Sequence, residues 1–143
     1  MAGEGHASLT ETDIASLEMA RNWVKGHFTG DADARYEPIG GKLHVLDAIL
    51  ANQRIEPVGT IKLQWLGVAF GDAVAQKLML DWVVIDDAHG RTTSLNWPGT
   101  RIYCHPLTMI SKRVEDGDVV DVHDLFDLLC KRLSAMAFSP KWA

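Results

Sequence analysis

The segment from Pro57 to Leu80 most restricts how this chain can fold, because it predicts a long helix with almost no polar face. Proline suits the first turn of a helix, where its missing N–H would have no partner. A helix that is apolar nearly all round is contacted on several sides, so we expect it at the centre of the molecule. Gly67 and Gly71 lie on one face of this helix and allow another element to approach its backbone closely. The apolar positions are Ile61, Leu63, Trp65, Leu66, Val68, Ala69, Phe70, Ala73, Val74 and Leu78.

Two shorter helices are predicted before this central one. Thr10 or Thr12 is a suitable N-cap for a first helix that ends near Phe28. Acidic residues in its opening turn, where the helix dipole favours them, support the same start. The polar, glycine-containing stretch that follows is predicted to be a loop, with its clearest break at Gly40–Gly41. Apolar residues at helical spacing then predict a second helix over about Leu43–Gln53.

From Asp81 the sequence takes on the composition of β-strands. The β-branched and aromatic run Trp82–Ile85 predicts a first strand, and Thr92–Trp97 predicts its partner across a hairpin turn. Pro98–Gly99 matches the central pair of a type II turn, in which proline fixes φ and glycine supplies a positive φ. Arg101–His105 is predicted as the third strand of an antiparallel meander.

The remainder of the chain is predicted to be helical. Pro106 is suited to start a helix and Gly117 to end it. Asp121 is a suitable N-cap for a final helix over about Val122–Met136. The sequence thus predicts an α+β fold, in which a three-stranded antiparallel sheet over about residues 81–105 packs against about five helices.

Composition predicts one cytoplasmic domain. The chain has 143 residues, 47% hydrophobic and 23% charged, so we expect a single globular domain over residues 10–143 after a flexible tail at residues 1–9. The first residues lack the basic start and apolar run of a signal peptide, and no window is apolar for long enough to cross a membrane. Cys104 and Cys130 are far apart, which implies neither a disulfide framework nor a zinc knuckle and suits a reducing compartment.

Charge and motifs exclude several classes of function. The formal net charge of −5 argues against a nucleic-acid partner, because affinity for phosphates rests on clustered Lys and Arg. The chain has no phosphate-binding loop, no dinucleotide-binding glycine motif, no nucleophile elbow and no HExxH zinc motif. We therefore predict no catalytic residue, no metal ligand and no cofactor. A non-enzymatic protein is favoured, although a site assembled from scattered residues stays open.

Three strings carry a resemblance to a known family. They are LGVAFGDAV at Leu66–Val74, DWVVIDDAHGR at Asp81–Arg91 and HPLTMISKRVEDGDVVDV at His105–Val122. Together they resemble a bacterial family of uncharacterised domains, the domain of unknown function numbered three-eight-zero-six, over roughly residues 60–130. The resemblance implies a bacterial, mostly intracellular protein. It transfers no catalytic or binding residue.

Two groupings of chemistry-bearing residues are better explained by structure. Cys104 and His105 are adjacent, but neighbouring residues on a strand point to opposite faces and cannot form a nucleophile–base pair. The turn Asp86–His89 offers carboxylates and an imidazole to a metal, yet tight turns prefer aspartate and glycine for backbone reasons. We interpret Cys104 as a packed thiol and the turn as solvated.

The first candidate binding residues are basic. Arg101, Lys112 and Arg113, with Arg91 on the sheet, could form a compact basic face that holds a phosphate or a carboxylate. His105 lies beside this group in the sequence and is included with it. Ordinary surface charge is the alternative interpretation.

The second group of candidates is acidic and follows Gly117. Asp118, Asp121 and Asp124 belong to the most acidic stretch of the chain, which could dock a basic partner protein. Helix capping and solvation are the alternative. Trp97, beside a proline in a turn, is a candidate interface anchor if it is exposed.

The leading hypothesis is a non-enzymatic bacterial cytoplasmic protein that binds another protein, with a toxin-neutralising immunity protein as its specific form. The alternative is a small-molecule-binding or enzymatic domain, with a pocket between the sheet and the helices. A third hypothesis is a dimerising module with Gly67 and Gly71 at the seam.

Overall fold

The structure of the protein is a computed structural model that describes residues 6–51, 60–88 and 90–137. It confirms the α+β fold, with helices packed on a three-stranded antiparallel sheet in the order β1-β2-β3. A short 3-10 turn, Pro106–Thr108, precedes the fifth helix. The helices are α1 Glu11–Lys25, α2 Ala32–Tyr36, α3 Ile39–Ala51, α4 Thr60–Leu78, α5 Met109–Glu115 and α6 Val122–Ala137, and the strands are β1 Asp81–Asp87, β2 Gly90–Asn96 and β3 Tyr103–Cys104.

Helix α4 occupies the centre, as its apolar sequence predicts. It packs against α1, α3, α5, α6 and the 3-10 turn. The predicted start at Pro57 lies outside the described residues, which resume at Thr60. Its buried side chains are Leu63, Leu66, Val68, Ala69, Phe70, Ala73 and Val74.

The two glycines of α4 bring the backbone into close contact with other parts of the same chain. A Cβ atom at Gly67 would lie 2.5 Å from the carbonyl oxygen of Pro106 and 2.7 Å from the Cα of Leu107. A Cβ atom at Gly71 would lie 2.6 Å from the indole ring of Trp82. The expectation of tight internal packing is confirmed. This face of α4 is already covered, so the hypothesis of a dimer seam at these glycines is wrong.

The meander has a shorter third strand than the sequence predicts. Gly99 has a φ of 78°, and the Thr100 N–H donates to the carbonyl of Trp97 at 3.1 Å, which confirms the turn at Pro98–Gly99. The Trp97 N–H donates in turn to the carbonyl of Ile102 at 3.1 Å. Because the turn takes up the residues before Tyr103, β3 is reduced to Tyr103–Cys104 rather than Arg101–His105.

The predicted loop before α3 is wrong, because it contains the short helix α2 and the first turn of α3. The side chain of Asp31 caps α2 by accepting a hydrogen bond from the Ala34 N–H at 3.2 Å. Gly41 does not break a helix but lies within α3, where a Cβ atom would overlap the carbonyl of Arg35. Glycine is required there so that α2 and α3 can approach each other.

The predicted flexible tail lies partly outside the described residues, which begin at His6. The rest of it is docked on the sheet rather than free. Ala7 and Val84 exchange two backbone hydrogen bonds, of 2.8 and 2.9 Å, and so form an isolated antiparallel bridge. Thr10 then caps α1 in a capping box with Asp13.

Replacing Gly67 with alanine should destabilise the protein by roughly 1–3 kcal/mol, because the added methyl group meets backbone atoms that cannot move independently. Urea unfolding followed by circular dichroism measures the change. The matched control is Gly40→Ala, also in a helix, where a Cβ atom meets nothing within 4 Å. The control should be neutral or stabilising by up to about 1 kcal/mol; equal losses in both variants would contradict the packing argument.

Candidate functional site

One side of the sheet packs against the helices, and the other carries more polar residues but is also buried at Val83, Ser94 and Asn96. Side chains alternate along a strand, and the register aligns Trp82, Leu95 and Cys104 across the three strands on the side of the helices. Ser94 and Tyr103 therefore lie on the opposite side, which we call the outer side.

Two histidines make hydrogen bonds to residues of the outer side. The Oγ of Ser94 lies 2.8 Å from Nδ1 of His105, and the Oη of Tyr103 lies 2.8 Å from Nδ1 of His6. Ser94 is completely buried, with 0% of its surface exposed. A serine that no substrate can reach is not a usable nucleophile. We interpret its hydrogen bond to His105 as a structural one, which positions the chain between β3 and the 3-10 turn.

Cys104 is the packed thiol that the strand alternation predicts. It is buried on the helix side of the sheet, whereas the neighbouring His105 is exposed and bonds to Ser94. Burial raises the pKa of the Cys104 thiol to about 12, so the thiol stays protonated and unreactive at neutral pH. Burial also raises the pKa of Cys130.

The three basic candidates differ in their exposure. Arg101 and Lys112 are exposed, and the guanidinium of Arg113 donates to the carbonyl of Met109 on its own helix at 3.0 Å. A shared site for Arg101, Lys112 and Arg113 stays a prediction.

Arg91 does not belong to a basic face, because Asp13 neutralises it. Its two terminal nitrogens donate to the two carboxylate oxygens of Asp13 at 2.7 and 2.6 Å. Asp13 is buried and also accepts the backbone N–H of Thr10 at 2.8 Å. The hydrogen bonds from Arg91 and Thr10 hold the pKa of Asp13 well below its usual range.

The acidic candidates surround the break between α5 and α6. Gly117 ends α5 with a φ of 81°, and the Asp118 N–H donates to the carbonyl of Arg113 at 2.9 Å. The carboxylate of Asp121 caps α6 by accepting the Asp124 N–H at 3.0 Å. The carboxylates of Asp118 and Asp124 are exposed, so they are available to a partner.

Two further candidates from the sequence have different outcomes. Trp97 is half-buried against the main core and is not a freely exposed anchor. His89, in the turn considered for metal binding, lies outside the described residues; the part of the chain that is described holds no group of three His, Cys, Asp or Glu side chains arranged for a metal.

Sequence reasoning missed a polar cluster around Asp72, which we call the Asp72 hub. The carboxylate of Asp72 accepts hydrogen bonds from Arg21 at 2.7 and 2.9 Å, from the Tyr36 hydroxyl at 2.6 Å and from the Trp82 indole at 3.0 Å. These donors come from α1, α2 and β1. The signal was present, because Asp72 is the one acidic residue within the apolar helix α4.

A second layer of charge supports the Asp72 hub. The amine of Lys42 donates to the carbonyl of Glu37 at 2.7 Å and to the side chain of Gln76 at 2.6 Å. The amines of Lys42 and Lys25 also lie 4.8 and 5.3 Å from the centre of the Tyr36 ring. Cations over the face of an aromatic ring are attracted by its electrons.

Burial and the Asp72 carboxylate shift the pKa values of the residues around the hub. Hydrogen bonds to Asp72 raise the pKa of Arg21, and burial beside Asp72 raises the pKa of Tyr36. Both groups therefore remain protonated donors at neutral pH. Burial lowers the pKa of Lys42. No side-chain N or O atom that is buried in the described residues lacks a hydrogen-bond partner.

Comparison with known proteins identifies the family but no activity. A family described as a domain of unknown function (DUF3806) matches residues 42–126. The chain belongs to the DUF3806 family. The matched residues contain Asp72 and Arg91 but not Arg21, Tyr36 or Asp13, so the partners of both ionic ties lie before the matched region.

The fold recurs in a distant protein. A crystal structure from Bacteroides thetaiotaomicron VPI-5482, at 1.50 Å resolution, aligns with a TM-score of 0.69 at 13% sequence identity. The alignment covers 89% of this DUF3806 chain and 48% of the other, so this chain spans about half the length of that protein. No curated protein matches the chain. None of the helices in the described residues is both long enough and apolar enough to cross a membrane.

Replacing Asp72 with asparagine should destabilise the protein by roughly 2–4 kcal/mol, because it leaves the part-buried Arg21 with only the half-exposed carboxylate of Glu18 as a counter-charge. The matched control is Asp33→Asn. Asp33 pairs with Lys25, but its side chain is 85% exposed, so its loss should cost no more than about 0.5 kcal/mol. Urea midpoints at pH 7 decide; similar losses in the two variants would show that the hub does not hold the helices together.

The Asp13–Arg91 pair should make the free energy of unfolding depend on pH in the acidic range. The pKa of Asp13 is lower in the folded protein than its ordinary value of 3.8, so the pair stabilises the fold above about pH 4 and loses this contribution as the pH falls further. The difference in stability between the wild type and Asp13→Asn should therefore be largest at pH 7 and shrink below pH 4. Urea midpoints at a series of pH values measure it. A difference that stays constant down to pH 2 would contradict the assignment.

Proposed function

We propose that this protein is a bacterial cytoplasmic protein that acts by binding another protein and has no catalytic step of its own. The proposed contact surface is the acidic connection, defined as Glu115, Asp116, Asp118, Val119, Asp121 and Asp124.

The exposure of Val119 carries this proposal. Val119 is 98% exposed, although it is apolar and lies between exposed carboxylates. An apolar side chain surrounded by charge matches the usual anatomy of a protein interface, in which an apolar centre has a polar rim. The negative charge selects a basic partner, and the formal charge of −5 on the whole chain favours the same encounter.

The specific form of this proposal is an immunity protein that covers the active face of a toxin. A small acidic domain whose two thiols and Ser94 hydroxyl are buried is suited to binding rather than chemistry. An immunity protein needs only a complementary surface, and the acidic connection supplies one.

The second candidate is a small-molecule-binding or enzymatic domain, which the hydrogen bond between Ser94 and His105 favours. Two observations rank it lower. Ser94 is fully buried, and the contact of α4 with Trp82 and the 3-10 turn has no room for a methyl group at Gly67 or Gly71. A pocket between the sheet and the helices is therefore disfavoured at that contact.

A capture experiment from the native cell tests the proposal with three baits. The first is the wild type, and the second carries Asp118→Asn, Val119→Ser and Asp124→Asn, which spares the helix cap Asp121. The control also loses two exposed carboxylates and one exposed apolar side chain, elsewhere on the surface. Its substitutions are Glu11→Gln, Met19→Ser and Asp47→Asn.

We expect one basic protein to be captured equally by the wild type and the control, and at least about tenfold less by the second bait. Capture should weaken as salt rises, because exposed charges are screened. Equal capture by all three baits would reject the acidic connection, and no enrichment over bare resin would reject protein binding. A captured partner that is harmless when expressed alone would reject the immunity form.

A further inference from the structure

The hydrogen-bonding edge of β1 that is opposite β2, which we call the outer edge of β1, holds an extended segment of the same chain. The Ala7 N–H donates to the Val84 carbonyl at 2.8 Å, and the Val84 N–H donates to the Ala7 carbonyl at 2.9 Å. On its other edge β1 pairs with β2. A strand at the edge of a sheet exposes a row of N–H and C=O groups that can pair with another chain.

The edge of β1 is longer than the described part of the segment that lies along it. β1 has seven residues and spans about 23 Å. Main-chain groups alternate in direction along an antiparallel strand, so Trp82, Val84 and Asp86 direct theirs to this edge. Within the described residues Val84 is paired there, and a longer strand would also pair with the groups of Trp82 and Asp86.

Few contacts hold the segment in place. The side chains of Ala7 and Ser8 are exposed, and His6 bonds to Tyr103 at 2.8 Å. Leu9 is half-buried against the same small apolar cluster that Trp82 contacts. A segment held by one backbone bridge, one side-chain hydrogen bond and one apolar anchor belongs to the part of a fold that opens most easily.

We propose that the outer edge of β1 is a docking site for an extended segment of a partner protein, and that residues 6–9 occupy it until they are displaced. The added strand runs antiparallel to β1. It presents a small residue opposite Val84, where Ala7 now lies, and an apolar residue opposite Trp82, where the anchor Leu9 packs. A basic residue opposite Asp86 completes the pattern, because Asp86 is an acidic side chain near the end of the strand.

Charge selects a basic partner rather than a second copy of this chain. β1 reads DWVVIDD, with three aspartates and no basic residue. Pairing two copies edge to edge would bring two such acidic strands together, an arrangement that disfavours self-association. The nearby Arg91, opposite Asp86 on β2, is already bonded to Asp13. The proposal goes beyond the proposed function, since this edge is separate from the acidic connection and either surface can fail alone.

A labelled peptide tests the site. The probe is fluorescein-labelled VKTASLT, which keeps the Ala-Ser-Leu-Thr of the chain and places lysine opposite Asp86. The test variant is Ala7→Pro in the full chain, because proline has no N–H to donate to Val84. The control is Ser8→Pro, since the Ser8 N–H points away from β1. The control peptide VKTPSLT lacks the donor that would pair with Val84.

By fluorescence anisotropy, Ala7→Pro should bind the probe about tenfold more tightly than the wild type, whereas Ser8→Pro should match the wild type. VKTPSLT should bind Ala7→Pro at least about tenfold more weakly than VKTASLT. Equal gains in both proline variants, equal binding of both peptides, or no binding near 1 mM would overturn the proposal. Dimerisation of Ala7→Pro in light scattering, without peptide binding, would assign the edge to a second copy and also overturn it.

Hydrogen exchange on the wild type decides the matter if Ala7→Pro does not fold. Excess VKTASLT should slow exchange of the Trp82 and Asp86 amides, which point to the edge, and leave the Val83 and Ile85 amides, which point to β2, unchanged. Unchanged exchange at Trp82 and Asp86 would overturn the proposal.

Discussion

The arrangement of the helices depends on the carboxylate of Asp72. Hydrophobic burial places α4 at the centre, but apolar attraction has no direction and would accept several orientations of the neighbours. A charge on the buried helix is tolerated only with partners of the right geometry. Arg21, Tyr36 and Trp82 provide those partners from three different elements, which must therefore converge on one face of α4.

The folding unit is larger than the region that defines the family. DUF3806 matches residues 42–126, which contain the sheet, α4 and α5. Asp72 and Arg91 lie inside this region, but both find their ionic partners on α1, before it begins. The helices that precede the match are thus integral to the domain, since without them two ionised side chains of the family core would lose their neutralising partners.

The sequence predicted features that are carried by neighbouring residues and failed where distant residues decide. The helix end at Gly117 and the charge change across it follow from local chemistry, and the structure has the glycine at positive φ there. The interpretation of Gly41 as a helix breaker is wrong. A glycine is needed at this position because a side chain would overlap a carbonyl of the preceding helix, and the sequence alone does not reveal such a tertiary contact. The sequence places Arg91 in a basic face because its partner Asp13 lies 78 positions away along the chain. The Asp72 hub is not predicted for the same reason, since its partners are also distant in the sequence.

The spacing of the Asp72 hub along the chain has a consequence for the order of folding. Trp82 is 10 positions from Asp72, whereas Tyr36 is 36 and Arg21 is 51 positions away. Closing the longest of these loops costs about 1.4 kcal/mol more free energy than closing the shortest, because more chain entropy is lost. We expect α4 and β1 to associate first and the N-terminal helices to dock afterwards. On the ribosome the order of synthesis is the reverse, so α1 and α2 emerge before the carboxylate that fixes them and must wait, unanchored, for α4.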